Sequence, residues 1–190
     1  MIDTTKKTAV VLLNLGGPGE TQDIEPFLKN FFSDKNIIAL PAAFRLPLAR
    51  IIARRRARGV SLQNYSLLGG GSPLLENTRA QAAALQTVLG GKFKLFDCMR
   101  YWHPMADQIA REVKDYAPQE IVLLPLYPQF STATTKSSFQ EWDMAVKKIN
   151  LKIPSRRICC YPLESGYVSA SAQAIRDMQE HAAKEGHGSA

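Results

Sequence analysis

Three short segments of this sequence combine glycines, aromatic rings, an arginine and many hydroxyl groups. Residues 14–18 read NLGGP, residues 100–104 read RYWHP, and residues 127–138 read YPQFSTATTKSS. Aromatic side chains can pack against the plane of a flat apolar ligand, and an arginine can pair with its carboxylates. If the fold brings the three segments together, they predict a pocket for a flat, apolar, anionic molecule.

The glycines fit a nucleotide less well. Residues 16–19 (GGPG) lack the glycine spacing of a dinucleotide fold, and no Walker-type Gly-Lys-Ser sequence occurs. A second glycine-rich segment, residues 69–73 (GGGSP), precedes a helix pattern, so its amides could hold an anion. The same segment is also typical of a tight turn into a well-capped helix, and both interpretations stay open at this point.

Positive charge is concentrated in one stretch of the chain. The net charge is +7, and residues 45–58 contain six arginines and no acidic residue. Such a patch could face nucleic acid, anionic lipid or an acidic small molecule. A solvated basic surface is the other interpretation, and composition alone does not separate the two.

Short apolar runs that read as buried strands must position these segments. They cover residues 9–13, 93–99, 120–126 and 158–161, and helix patterns lie between them. Apolar strands that alternate with helices indicate a parallel sheet covered on both faces. Right-handed crossovers then predict a doubly wound α/β domain with helices on both faces. Such sheets bind ligands beyond the carboxyl ends of their strands, where the three segments lie.

Helix boundaries follow from capping residues and from apolar spacing. Asp23 predicts the start of one helix, and Ser72 followed by Pro73 predicts the start of another. Helices are also expected over residues 105–116 and 137–149. The apolar spacing of Val168, Ile175, Met178 and Ala182 predicts a last helix.

Residues 35–68 have a different pattern. Pro41 and Pro47 interrupt this stretch, which is therefore expected to be irregular. Within it, Leu48, Ile51 and Ile52 lie beside the arginines and would suit an amphipathic helix.

Length and composition are those of a globular protein. The 190 residues, 45% hydrophobic and 22% charged, suffice for one domain or for half of a two-lobed protein. No apolar run approaches the roughly 20 residues that cross a bilayer. The first residues show no secretory signal, and Cys98, Cys159 and Cys160 lack the spacing of a zinc site or a redox pair. A cytoplasmic protein with reduced thiols is expected.

Four motifs resemble those of ferrochelatases, which insert ferrous iron into a porphyrin to make haem. They are LNLGGP at 13–18, YSLLGGGSPL at 65–74, MRYWHP at 99–104 and LYPQFSTATTKSS at 126–138. Their order and spacing are similar to the family's over essentially the whole chain. The resemblance implies two similar doubly wound domains around a porphyrin cleft, with residues 1–190 forming the first, N-terminal domain alone.

The resemblance also implies which residues contact the substrate. Leu15 resembles the position that faces the porphyrin plane, and Tyr65 and Ser72 resemble positions that contact its propionate side. Arg100 and Tyr101 resemble the pair that lies in the cleft near the path of metal or substrate. Tyr127 and Ser131 resemble residues that line the inner wall of the pocket. The basic residues Arg54, Arg55 and Arg56 resemble the lip of the cleft, where anionic groups would be contacted.

This sequence departs from the family in one respect that affects catalysis. The family's metal- or proton-binding histidine lies in a Ser-Ala-His-Gly-Leu-Pro motif, and neither that motif nor its glutamate partner occurs here. The histidines present are His103, His181 and His187, and none lies in such a motif. Lys136 also replaces a glycine that is common in the hydroxyl-rich segment. We therefore expect no catalytic residue and no metal ligand in this chain.

The resemblance thus implies part of an enzyme that acts on ferrous iron and a porphyrin, protoporphyrin IX being expected and coproporphyrin remaining open. The chain alone is expected to be inactive without its C-terminal domain. No tightly bound cofactor and no nucleic acid are expected, and peripheral contact with the inner membrane is left open. The alternative is a porphyrin-binding or scaffold domain without catalytic activity.

Overall fold

The computed structural model describes residues 6–186, which form two compact units, one up to Cys159 and one from Cys160. The first unit contains a sheet and most of the helices. The second contains a single long helix. Whether residues 1–190 correspond to one domain of a longer protein stays a prediction. No helix in the described part of the chain is both long and apolar enough to cross a membrane.

The sheet has four parallel strands. They are β1 (Thr8–Asn14), β2 (Phe93–Met99), β3 (Glu120–Pro125) and β4 (Ser155–Arg157), in the spatial order β2-β1-β3-β4. β1 lies between β2 and β3, and Leu13 is in register with both Cys98 and Pro125. The carboxyl ends of these three strands therefore lie level with one another, at one edge of the sheet.

Between residues 6 and 186 the chain forms seven α-helices. Their bounds are α1 (Ile24–Phe32), α2 (Ala42–Ala57), α3 (Val60–Leu67), α4 (Leu74–Leu89), α5 (Ala106–Tyr116), α6 (Ser137–Lys148) and α7 (Ser165–Lys184). A 3₁₀ turn (Thr21–Asp23) precedes α1, and a π-helical turn (Thr132–Lys136) precedes α6. The predicted helices after Asp23 and Ser72, over 105–116 and 137–149, and around Val168 are confirmed within a few residues.

Side chains of β1 alternate between two apolar clusters. Val11 and Leu13 join the cluster that contains Val113 of α5 and Trp142 of α6. Val10 and Leu12 join the cluster on the other face, against which Leu85 of α4 packs. Helices thus cover both faces of the sheet, and the predicted doubly wound α/β fold is confirmed. The strand is apolar throughout because neither of its faces meets water.

The prediction that residues 35–68 are irregular is wrong, because most of them form α2 and α3. Ala49 and Ala53 are fully buried, and Ala53 packs with α1 residues such as Phe27. Pro47 lies inside α2 and is exposed. The packed alanines stabilise the part of the helix that follows Pro47, and the proline removes only one backbone hydrogen bond.

The strand predicted at residues 158–161 is displaced along the chain. β4 comprises Ser155–Arg157 and is exposed at the edge of the sheet. Ile158 makes the hydrogen bond that follows the last residue pair of β3 and β4, since its N–H donates to the carbonyl of Leu123 at 3.0 Å. Its side chain packs on the apolar cluster that contains Val10 and Leu12. The apolar residues at 158–161 therefore follow the strand and do not form it.

Candidate functional site

The three segments singled out in the sequence meet at the carboxyl edge of the sheet. Backbone hydrogen bonds join them: Arg100 N–H donates to the carbonyl of Asn14 at 2.8 Å, and Tyr101 N–H to that of Leu15 at 3.0 Å. Leu126 N–H donates to the carbonyl of Leu13 at 2.8 Å. The edge predicted from a parallel sheet therefore exists, with the segments after β1, β2 and β3 side by side.

The two glycine-rich segments pack backbone to backbone at this edge. A Cβ atom on Gly71 would lie 2.1 Å from the carbonyl oxygen of Gly19, and one on Gly17 would lie 2.5 Å from the side chain of Ser72. The Ser72 N–H donates to the carbonyl of Pro18 at 2.8 Å, and its hydroxyl accepts from Leu74 N–H at 3.3 Å. These contacts favour the tight-turn interpretation of residues 69–73. A propionate contact at Ser72 stays a prediction.

Half-buried apolar side chains pack around a buried cluster beside this edge, and we call this set of side chains the apolar wall. Its floor is a buried cluster made by Ile24, Phe27, Leu28, Ala53 and Tyr101. Rings within it meet edge to face, Phe31 with Phe32 at 5.2 Å and Phe31 with Tyr101 at 5.0 Å between ring centroids. The half-buried members of the apolar wall are Leu15, Phe31, Phe32, Ile37, Leu62, Tyr65 and Trp102.

Two of the predicted substrate contacts, Leu15 and Tyr65, lie in the apolar wall, and a third, Tyr101, lies beneath it. Burial raises the pKa of the Tyr65 phenol. Sequence reasoning did not assign the other wall residues to the site. In the sequence, Trp102 lies inside the RYWHP motif, whereas Phe31 lies outside all the motifs. The signal that could have found Phe31 in the sequence is an aromatic residue on the helix that follows residues 14–18.

Beneath the wall, the carboxylate of Asp34 collects hydrogen bonds from distant parts of the chain. Oδ2 accepts from Arg100 Nη2 at 3.0 Å, from the Tyr101 hydroxyl at 2.8 Å and from the Ser137 hydroxyl. Oδ1 accepts from the backbone and side-chain nitrogens of Asn36 at 2.7 and 2.9 Å. The Asp34 side chain is only 3% exposed.

The pKa of Asp34 reflects opposing effects. Burial raises the pKa, but hydrogen bonds from Ser137, Asn36 and Tyr101 and the charge of Arg100 together lower it by more. The pKa therefore lies below its ordinary value. Asp34 is therefore ionised at neutral pH although it is buried.

Arg100 is held on three sides. Its Nε donates to the Ser137 hydroxyl at 2.7 Å, and its guanidinium pairs with Asp34 at 3.0 Å and with Glu141 at 3.4 Å. From the sequence, a second hypothesis for Arg100 is a structural ion pair with a nearby carboxylate such as Asp97 or Asp107. The structure shows such ion pairs, but with Asp34 and Glu141 as the partners. Asp97 pairs with Arg79, and Asp107 with Lys148. What remains exposed of Arg100 borders a polar cavity of about 460 Å³ that Asp34, Gln140 and Asp143 also line.

Of the predicted contacts Tyr101 and Tyr127, the first is fully enclosed and the second is half-buried. Tyr101 has no exposed surface, and its hydroxyl also lies 3.2 Å from the carbonyl oxygen of Ala133. Burial raises the pKa of both phenols far above the ordinary value. The Tyr127 hydroxyl makes no hydrogen bond within the described residues. Direct contact between Tyr101 and a substrate would need the ring to move, so both assignments stay predictions.

Ser131 caps the π-helical turn before α6. Its hydroxyl accepts from Thr134 N–H at 3.1 Å and lies 2.6 Å from the Thr134 hydroxyl. Lys136, at the end of the same turn, is exposed. This capping does not test the predicted role of Ser131 on the inner wall of the pocket, which stays a prediction.

The arginines of the predicted lip lie exposed at the end of α2. Arg54 pairs with Glu25 of α1 at 3.3 Å, so the patch has a counter-charge in space that its local sequence lacks. The Arg56 guanidinium lies 5.3 Å from the ring centroid of Phe32, which connects the lip to the apolar wall. Arg55 and Arg56 also border a cavity of about 780 Å³ with Leu48, Ile51 and Ile52.

Metal-ligating side chains are sparse in the described residues. Between residues 6 and 186, no group of three or more His, Cys, Asp or Glu side chains is arranged to hold a metal ion. His103 is exposed and packs edge to face on Trp102 at 5.2 Å, and His181 lies 3.5 Å from Glu185. His187 lies outside the described residues. The absence of a catalytic residue stays a prediction.

Comparison with known proteins identifies similar chains. The sequence pattern of the ferrochelatase family matches residues 7–188. A ferrochelatase of Caulobacter vibrioides is 46% identical over 94% of this chain, which spans 52% of that protein. Ferrochelatases of Phenylobacterium zucineum and of a Wolbachia strain are 48% and 42% identical, with 52% and 58% of their lengths covered. The chain thus spans about half the length of the curated relatives it matches.

The Asp34 network predicts a pH-dependent contribution to stability. Because folding lowers the pKa of Asp34, the ionised carboxylate stabilises the folded state at neutral pH. This stabilisation is lost as the pH falls through the folded-state pKa. Asp34→Asn should lower the free energy of unfolding at pH 7 by about 3 kcal/mol, since Arg100 loses a buried partner. Below about pH 4, where an ordinary aspartate gains its proton, the difference in the free energy of unfolding between Asp34→Asn and the wild type should become smaller. Urea unfolding at several pH values measures it, and a difference that stays constant down to pH 3.5 would contradict this account.

Proposed function

The chain belongs to the ferrochelatase family, and on that premise we propose that it is the porphyrin-binding N-terminal part of an enzyme that inserts ferrous iron into protoporphyrin IX. The observation that carries the proposal is the apolar wall bordered by the arginines of α2. A porphyrin is a flat apolar ring with carboxylates at one edge, and these two surfaces match its two chemistries. The wall would take the ring, and the lip would take the carboxylates.

Half-buried rings suit the plane of the macrocycle for a physical reason. Phe31, Phe32 and Trp102 keep part of their surface in water, so a ligand that covers them gains from the removal of that surface. Their edge-to-face packing and the buried floor below fix their positions before the ligand arrives. Little conformational entropy is then lost on binding.

Metal insertion needs more than a binding surface. Two pyrrole protons must leave, a desolvated cation must enter, and distortion of the macrocycle lowers that barrier. A base near the ring centre must accept the protons. The described residues supply the wall and the carboxylate anchors, and we propose that the base belongs to the part of the enzyme that this chain does not span. Ferrous iron is a substrate in this scheme, and no tightly bound cofactor is proposed.

The first prediction separates binding from catalysis. The 190-residue chain should bind protoporphyrin IX but should not raise the rate of ferrous insertion above the uncatalysed rate. The chain joined to the remaining half of the Caulobacter relative should restore insertion, as followed by loss of porphyrin fluorescence. That half alone is the control.

The results have distinct consequences. Turnover by the chain alone would contradict the assignment of the base to another part of the protein. A fusion that binds porphyrin without metallating it would favour the alternative function, a porphyrin-binding or scaffold domain. A chain that binds no porphyrin would contradict the proposed function itself.

Helix α2 also supports a proposed contact with a membrane surface. Phe44 and Ile51 are 69% and 65% exposed, and they share the helix with the lip arginines. Exposed apolar residues beside cations suit an interface with anionic lipid. We therefore propose a cytoplasmic protein that binds peripherally to the inner membrane, and no nucleic-acid partner.

The lip predicts an effect of charge reversal. Replacing Arg54, Arg55 and Arg56 with glutamate should weaken binding to anionic vesicles and to protoporphyrin by about tenfold or more, since each cation near an anionic surface contributes about 1 kcal/mol. The loss should be larger at low salt, where charges are screened less.

A matched control has the same change in net charge at exposed positions outside α2: Arg111→Glu, Lys147→Glu and Lys152→Glu. Vesicle co-sedimentation and fluorescence titration give the two affinities. If the lip variant and the control bind equally well, the arginines are only a solvated surface.

A further inference from the structure

Asp34 has no place in the sequence motifs, yet its carboxylate accepts hydrogen bonds from two of them. Its carboxylate lies just beyond α1 and accepts from the loop after β2 through Arg100 and Tyr101, and from the first residue of α6 through Ser137. It therefore ties together three elements that meet at the carboxyl edge of the sheet.

The Tyr101 ring transmits this arrangement toward the apolar wall. Its hydroxyl is fixed by Asp34 at 2.8 Å, and its ring packs edge to face with Phe31 at 5.0 Å. The Arg100 guanidinium, also held by Asp34, covers the same ring at 4.6 Å from its centroid. The ring is thus fixed at its hydroxyl end and on its face, and it forms part of the floor under the wall.

We infer that Asp34 is a positioning residue for porphyrin binding, acting through Tyr101 and not by contact with the ligand. This inference rests on the proposed function of the chain. With its charge removed, Asp34 would no longer accept from three donors at one oxygen, and the Tyr101 ring would lose its fixed orientation. The wall would then lose the preformed shape that limits the entropy cost of binding.

The test is the affinity of the 190-residue chain for protoporphyrin IX, measured by fluorescence titration at a temperature where every variant is folded by circular dichroism. Asp34→Asn should raise Kd about tenfold, the loss expected when hydrogen bonds to a charged group are weakened. Asp107→Asn is the matched control. It removes an exposed carboxylate that pairs with Lys148 on another surface, and its Kd should equal that of the wild type.

A double-mutant cycle separates positioning from a purely structural role. Tyr101→Phe keeps the ring but removes the hydroxyl that Asp34 holds. In that background, Asp34→Asn should raise Kd by clearly less than it does in the wild type, because the link to the ring is already broken. If Asp34→Asn fails to fold, Ser137→Ala removes one donor while keeping the carboxylate, and it should raise Kd about threefold.

Each result bears on the inference. An unchanged Kd for folded Asp34→Asn beside a lower melting temperature overturns it, since Asp34 would then only stabilise the fold. Equal effects of Asp34→Asn in the two backgrounds also overturn it. Failure of the proposed function is recognised separately, because the wild-type chain would then bind no porphyrin, and the inference would fall with it.

Discussion

The carboxylate of Asp34 is the constraint on which the site depends. An ionised carboxylate with 3% of its side chain exposed would cost several kcal/mol without partners. The donors to its Oδ2 come from residues 66 to 103 positions further along the chain. The charge is tolerated only when the loop after β2 and the start of α6 are both in place. Burial of this one group therefore fixes the relative positions of the elements that surround the site.

The site has two layers with different chemistry. A polar layer, centred on Asp34 and Arg100, holds the hydroxyl end of the buried Tyr101 ring through internal hydrogen bonds. An apolar layer, the wall, leaves its aromatic surface partly in water. Rigid polar contacts below and half-exposed rings above are what a preformed surface for a flat ligand requires. The lip arginines add charge at its border through the contact of Arg56 with Phe32.

The parts of this arrangement that depend on local pattern could be predicted from the sequence. β1 is apolar on both faces, and the residues after β1, β2 and β3 were expected at one edge because the carboxyl ends of parallel strands lie at the same edge. The partners of Arg100 could not be predicted, because Asp34 and Glu141 approach it only after folding, whereas Asp97 and Asp107 are merely close in sequence. The full extent of helix α2 was missed for a similar reason, although Leu48, Ile51 and Ile52 indicated a helix within it. Its stability comes from tertiary packing and not from the composition around its prolines.

Nuclear magnetic resonance mapping of protoporphyrin IX on the 190-residue chain tests the central claim most directly, namely that the apolar wall receives the plane of the macrocycle. The ring current of a bound porphyrin shifts the resonances of the protons that it covers. The account predicts the largest shifts at Phe31, Phe32, Tyr65 and Trp102, with smaller shifts at the lip. Shifts that instead cluster around the polar cavity near Gln140 and Asp143, or that leave the wall residues unmoved, would contradict it.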